Sequence, residues 1–173
     1  MKKLFALVLA LCMLCGCAAM AENDINWEDV APLLEESGVT GDFYTFDDVD
    51  VEIFVPAGMI SEELPDDSYI GYFVDEDEDS NDAIAVFYVD ADGMDLETYA
   101  AALADPEVGA TGIEMGTVNG LECVTYEVPA NGTINVAFAT EDGYILEVVC
   151  GPVSSEEEKI AAGFIMASIQ SAE

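Results

Sequence analysis

The residues of this chain that could do chemistry are carboxylates, and the tightest group is Asp75-Glu76-Asp77-Glu78-Asp79-Ser80-Asn81-Asp82. Asp75, Asp77, Asp79 and Asn81 stand at positions 1, 3, 5 and 7 of a calcium loop, a spacing at which oxygen ligands converge on one cation. Position 6 is Ser80, where the turn needs glycine, and position 12 is Val86, where a bidentate glutamate should close the shell. The run therefore reads first as a solvated hairpin tip, with weak calcium binding as the alternative. Asp90, Asp92 and Asp95 form a second acidic group, better suited to a turn and a helix cap. A strand expected over Ala83–Val89 holds the two groups roughly 20 Å apart, so they cannot share an ion.

Missing residue types narrow the chemistry further. With no histidine, the Ser-His-Asp and Cys-His nucleophile systems and His-ligated zinc are unavailable. The three basic residues are all lysine, so no arginine fork can clamp a phosphate or carboxylate. A carboxylate pair could hydrolyse glycosides, but among 37 carboxylates no pair stands out. Tyr69, Tyr72, Tyr88 and Tyr144 could line a pocket, although alternating aromatics in strands are usually core and sheet surface. No catalytic residue is assigned. A hydrolase is the third expectation, behind a binding module and a calcium-binding protein.

Location is written at the start of the chain. Lys2 and Lys3 precede the apolar run Leu4–Leu14, and no acidic residue occurs before Glu22. Residues 1–21 are thus an export signal and 22–173 a single acidic α+β domain. Leu14-Cys15-Gly16-Cys17 resembles a lipobox, which would place the lipid on Cys17; Ala19-Met20-Ala21 equally fits ordinary cleavage. An uncleaved anchor is the third option, since residues 4–21 are barely long enough to span a bilayer. Each option puts the domain outside the cytoplasm, as a lipoprotein on the outer face of the cytoplasmic membrane or as a secreted protein.

Once Lys2 and Lys3 leave with the signal, Lys159 stands alone against 37 carboxylates, and the chain's net charge of −34 becomes two units more negative. Such a field repels phosphate backbones and anionic lipid head groups. Nucleic acid is excluded as a partner, and membrane contact is left to the N-terminal anchor. The expected partner is an envelope protein or small ligand, the chain is expected to be a monomer, and no cofactor is expected beyond the weak calcium.

The elements can be taken from the end backwards. Glu141-Asp142-Gly143 reads as a three-residue hairpin loop pairing Phe138/Leu146, Val136/Val148 and Ile134/Cys150. Pro152 stops that strand. Ser155 with Glu158 makes a capping box for a helix whose Ile160, Phe164, Ile165 and Ile169 form one apolar stripe. Asn119-Gly120 predicts a two-residue hairpin between Ile113–Val118 and Leu121–Val128. Ala130-Asn131-Gly132, read as a second three-residue loop, predicts the pairs Val124/Phe138 and Val128/Ile134. In that register Ile113, Met115, Val124 and Tyr126 share one face. Leu121, Cys123, Ala137, Ala139, Ile145 and Val149 fall on the other, with a helix expected over each side.

Earlier in the chain, Asn26 with Asp29 predicts a cap for a helix over Trp27–Ser37, although Pro32 suggests a regular start nearer Val30. A hairpin follows, Phe43–Phe46, a turn at Asp47-Asp48, then Val49–Val55 with one face buried and the other, including Phe54, mostly wet. After an exposed Ser61–Ser68 come strands at Tyr69–Val74 and Ala83–Val89. Asp95 caps a helix carrying Leu96, Tyr99, Ala100 and Leu103, which Asp105-Pro106 ends. The fold class is α+β: a single antiparallel sheet of about seven or eight strands, ending in a four-strand meander, packed with helices. Cys123 and Cys150, assigned to opposite faces and two strands apart, are expected to remain free buried thiols with no disulfide.

Val49–Met59 (VDVEIFVPAGM), Met94-Asp95-Leu96-Glu97 with Tyr99-Ala100, Val118-Asn119-Gly120-Leu121, Asp142–Glu147 and Ile165–Ile169 resemble segments of small exported bacterial domains. Their plan is similar to the PsbP-like fold. The resemblance implies a sheet sandwiched by helices; PsbP itself is an extrinsic photosystem subunit with metal-related roles. The shared segments are turns, caps and core stripes, so no functional residue is carried over.

Overall fold

The computed structural model describes residues 24–172 apart from Asp48 and Glu78. The expected export signal over 1–21, with Cys17, and part of the Asp47-Asp48 turn therefore lie outside the described residues. The elements are β1 (Asp24–Ile25), α1 (Trp27–Ser37), β2 (Gly41–Phe46), β3 (Val51–Pro56), β4 (Met59–Ser61), β5 (Tyr69–Asp75) and β6 (Ala83–Val89). They continue with α2 (Leu96–Leu103), β7 (Thr111–Val118), β8 (Leu121–Val128), β9 (Thr133–Ala139), β10 (Ile145–Gly151), α3 (Glu156–Ala167) and β11 (Gln170–Ser171).

An eight-stranded sheet runs β1-β7-β8-β9-β10-β6-β5-β4, antiparallel except for the short parallel pair β1–β7. The expected meander β7–β10 is its centre. The hairpin β2–β3 stands apart from it, forming a three-stranded sheet with β11. Sequence reading had no signal for that second sheet, because a two-residue strand after a helix carries no pattern.

Three apolar clusters stack the layers. α2 lays Leu96 and Leu103 on one face of the large sheet, against Val124, Tyr126, Ala137 and Ile145. The opposite face, with Ile84, Val86, Val136, Leu146, Val148 and Cys150, is covered by α3 and the small sheet through Ile165, Met166, Ile169, Phe46 and Ile53. α1 closes the outside of the small sheet, packing Val30 and Leu34 on Phe54 and Phe164. The two sheets meet closely at Gly71, where a Cβ would lie 2.4 Å from the Phe46 ring. The stripe on α3 and the helix on each side of the meander are as the sequence led one to expect.

Turn chemistry decides register, and one turn was misread. The β9–β10 loop has Gly143 at φ +85° and the predicted pairs Phe138–Leu146, Val136–Val148 and Ile134–Cys150. Asn119 and Gly120 both have positive φ and join Val118 directly to Leu121. Between β8 and β9, however, Val124 pairs with Ala137 and Val128 with Thr133, one residue away from expectation. Pro129 has no N–H for the ladder and favours a turn, so the strand stops at Val128 and the loop takes four residues. Asn131 N donates to Val128 O and Gly132 N to Pro129 O within it. Every side chain of β8 consequently changes face relative to β9. Cys123 lies with Cys150 in the same core cluster, correcting its assignment to the other face. Four residues along the strands, about 13 Å, and two strands across still separate the two free thiols.

Three smaller corrections concern the first third. α1 begins at Trp27 with Pro32 inside it. Its first N–H, that of Trp27, donates to Asn119 Oδ1 at 2.5 Å, and Asp29 N donates to Asn26 O. β3 starts only at Val51, after Asp50 at φ +49°, so Val49 precedes the strand, and Phe54 is buried under α1 instead of wet. The caps hold as read. Asp95 accepts from Thr98 N, and Ser155 and Glu158 form the reciprocal box; Asp95 is held below the usual carboxylate range by its bonds from Thr98, and Glu158 by the N–H groups of Ser154 and Ser155.

Candidate functional site

The changed register of β8 creates the most distinctive polar group in the fold. Across the α2-covered face of the large sheet, Cα pairings run Tyr69, Phe87, Glu147, Ala137, Val124 and Met115 in one row. Beside it Tyr72, Ala85, Val149, Asn135 and Tyr126 make a second. Glu147 is 5% exposed and is the one buried carboxylate among the described residues. Its Oε1 accepts from Tyr99 Oη and from Tyr126 Oη, both at 2.5 Å. Ala137, small and next to Glu147, leaves room for the Tyr126 ring to lean across.

Each member is fixed by its element. Asp95 caps α2 and Leu96 and Leu103 pin it, so Tyr99 points down onto the sheet. Asn135 Nδ2 donates to Tyr126 O at 3.2 Å and to Thr133 Oγ1 at 3.3 Å, bracing the strand. Burial, then the neighbouring Glu147 carboxylate, pushes both phenols well above the ordinary 10. The phenols stay protonated and serve as donors, and Oε1 already has its two partners. Chemically the trio is a clasp between α2 and the sheet.

A second polar node lies at the opposite side. Asn119 Oδ1 holds Trp27 N, and its Nδ2 donates to Ala167 O at 3.0 Å and Ile169 O at 2.7 Å. One hairpin residue thus ties the start of α1 to the end of α3. The buried Ser168 continues the tie: its Oγ accepts from Phe54 N at 2.8 Å and donates to Ile165 O at 2.6 Å. Neither node was singled out from the sequence. The Asn-Gly signal marked position 119 as a turn, and nothing local revealed what its side chain would reach.

Of the residues singled out as metal ligands, Asp75 and Asp77 also accept hydrogen bonds inside their own loop, and Asp79 is exposed beside them. Asp75 Oδ1 accepts from Asp77 N at 2.8 Å, and Asp77 Oδ1 from Asp79 N at 3.0 Å, so both carboxylates brace their own loop. Asn81 is exposed beyond that turn. No cluster of three or more potential ligands is formed among the described residues. Asp82 is pushed up by its burial and then by Glu158, with Asp75 adding to the effect.

The four tyrosines do not converge on one pocket. Tyr69, Tyr72 and Phe87 group on the Glu147 face, with ring centroids 5.1 to 6.3 Å apart, whereas Tyr88 pairs with Tyr144 at 5.9 Å on the other. A cleft bounded by Ile25, Thr117, Val118 and Cys123 encloses about 10 Å³, room for one water at most. Burial pushes both thiols up to about 12, so neither is a nucleophile in the folded chain.

No family model and no curated protein matches the chain. Among solved structures it is similar to cyanobacterial PsbP (CyanoP) from Synechocystis, at TM-score 0.52 and 13% identity over 75% of this chain and 91% of that one. The fold is PsbP-like. The Ran-binding protein Mog1p of Saccharomyces cerevisiae also aligns, at TM-score 0.44 and 14% identity over 78% of this chain and 97% of its own. At these identities the PsbP-like likeness describes architecture and carries no residue role across.

Proposed function

We propose that this chain is an extracytoplasmic, lipid-anchored interaction module without catalytic activity, tethered through Cys17. The observation that carries the reading is Glu147. The one buried carboxylate among the described residues, which an acid–base enzyme would keep accessible in a cleft, has one oxygen engaged by two phenols that lock α2 in place. What the domain offers to solvent is a dense carboxylate surface interrupted by exposed Phe43, Tyr44, Ile60, Met94 and Tyr144. Such a surface suits recognition of a cationic partner in the envelope.

The test is photo-crosslinking in an expressing bacterium, with a benzophenone amino acid placed at 44, 60, 94 or 144 of the full chain. A discrete adduct from one or two adjacent positions is expected; no adduct from any position would overturn the reading. Radioactive palmitate should label the full chain and not Cys17→Ala. A divalent-cation-binding function is the second reading, supported by the 1, 3, 5, 7 spacing of Asp75, Asp77, Asp79 and Asn81 in an exposed loop. Calorimetric titration with calcium separates the two: micromolar heats abolished by neutralising Asp75, Asp77 and Asp79 would reverse the order.

A further inference from the structure

Sheet edges are where a folded chain can add a foreign strand, and natural folds blunt them. Here β1 and β11 are two residues long and β4 is three. The parts of β5 and β7 that extend beyond β4 and β1 carry register breaks, at Tyr69/Gly71 and Thr111/Glu114. The remaining edge, β2, has none of these protections. All six of its residues pair with β3 in unbroken register, and Asp42, Phe43, Tyr44 and Thr45 are exposed in succession.

The direction of its free backbone groups follows from β3. Phe54 N donates to Ser168 Oγ and Asp50 O accepts from Ala172 N, so the even residues of β3 face β11. The odd residues face β2, and the hydrogen-bonded pairs are Asp42–Val55, Tyr44–Ile53 and Phe46–Val51. The N–H and C=O groups of Gly41, Phe43 and Thr45 therefore point away from the sheet. No partner for the Phe43 or Thr45 N–H occurs among the described residues. Phe43 lies on the side of Trp27, ring centroids 5.5 Å apart, and Tyr44 on the side of Phe73 at 5.0 Å.

We propose that the β2 edge accepts an extended segment of a partner protein by strand addition, and that this segment alternates apolar and basic side chains. The proposal rests on the interaction-module reading and gives it a surface. Apolar side chains would lie with Phe43 and Trp27, and lysines or arginines with Asp42 and the Tyr44 ring. Charge decides the occupant. A second copy would bring another chain of net charge −34 against the first, whereas a basic strand is drawn in.

The probe is a capped octapeptide of alternating lysine and valine, titrated into the domain at low salt and followed by fluorescence anisotropy and amide hydrogen exchange. Bound peptide should protect the Phe43 and Thr45 amides. Two N-methylated forms, blocking one or the other peptide edge, should differ at least tenfold in affinity, because only one edge faces β2. Thr45→Pro, which removes an outward N–H without touching the β3 ladder, should weaken binding at least tenfold and leave the unfolding midpoint in place. Equal binding of both N-methylated forms would reveal mere polyelectrolyte attraction and overturn the proposal. So would protection at Phe43 and Thr45 that rises with protein concentration alone, which would mean self-association. A footprint confined to another surface removes the edge but keeps the module, whereas failure of the crosslinking removes both.

Discussion

Tyr126 and Glu147 sit two strands apart on one face of the large sheet, yet phenol and carboxylate meet at 2.5 Å over the small Ala137. Tyr99 reaches the same oxygen from α2. A helix that contributes only eight residues is thereby fixed to the sheet by polar as well as apolar contacts.

Because both phenols are raised above 10, the folded chain retains protons that the unfolded chain releases. Their contribution is complete below pH 10 and is lost as pH climbs from 10 towards the folded values. Ultraviolet titration should show Tyr99 and Tyr126 ionising only together with unfolding. Ionisation of both in a still-folded domain would contradict the clasp.

Asn119 satisfies three backbone groups and adopts positive φ, so its loss is felt by two helices at once. Asn119→Ala should cost about 2 to 4 kcal/mol in urea unfolding, from unpaired groups and left-handed strain together. Asn119→Asp keeps the acceptor for Trp27 but not the two donors, and should fall between alanine and wild type.

The buried thiols supply a chemical test of packing. Cys123 and Cys150 should resist iodoacetamide at pH 8 and react within minutes in urea. Rapid labelling of either in the native domain would mean that the core opens where the sheet appears closed.

How much of this the sequence disclosed depends on turn and cap chemistry. Gly143, Asn119-Gly120, Asp95 and the Ser155/Glu158 box are local signals, and the strands and helices they delimit were legible. Pro129 was the exception: a three-residue loop ending in Gly132 and a four-residue loop beginning at Pro129 differ by one residue, and that residue moves Tyr126 across the sheet. The clasp was hidden for this reason alone. Asn119's role was hidden differently, since its partners Trp27, Ala167 and Ile169 are remote in sequence and none belongs to a pattern. In the acidic run from Asp75, conspicuous in the sequence, the carboxylates of Asp75 and Asp77 accept from backbone N–H groups of the same loop.

Glu147 is above all a structural group. Urea unfolding of Glu147→Ala should show a loss of about 2 to 5 kcal/mol, since the buried Tyr126 phenol and the half-buried Tyr99 phenol lose their acceptor. Glu147→Gln, which keeps one acceptor but introduces an amide donor, should lose less. Functional acids are commonly held at a cost to stability, so their replacement tends to stabilise. Unchanged or increased stability in both variants would identify Glu147 as a working acid and contradict the account.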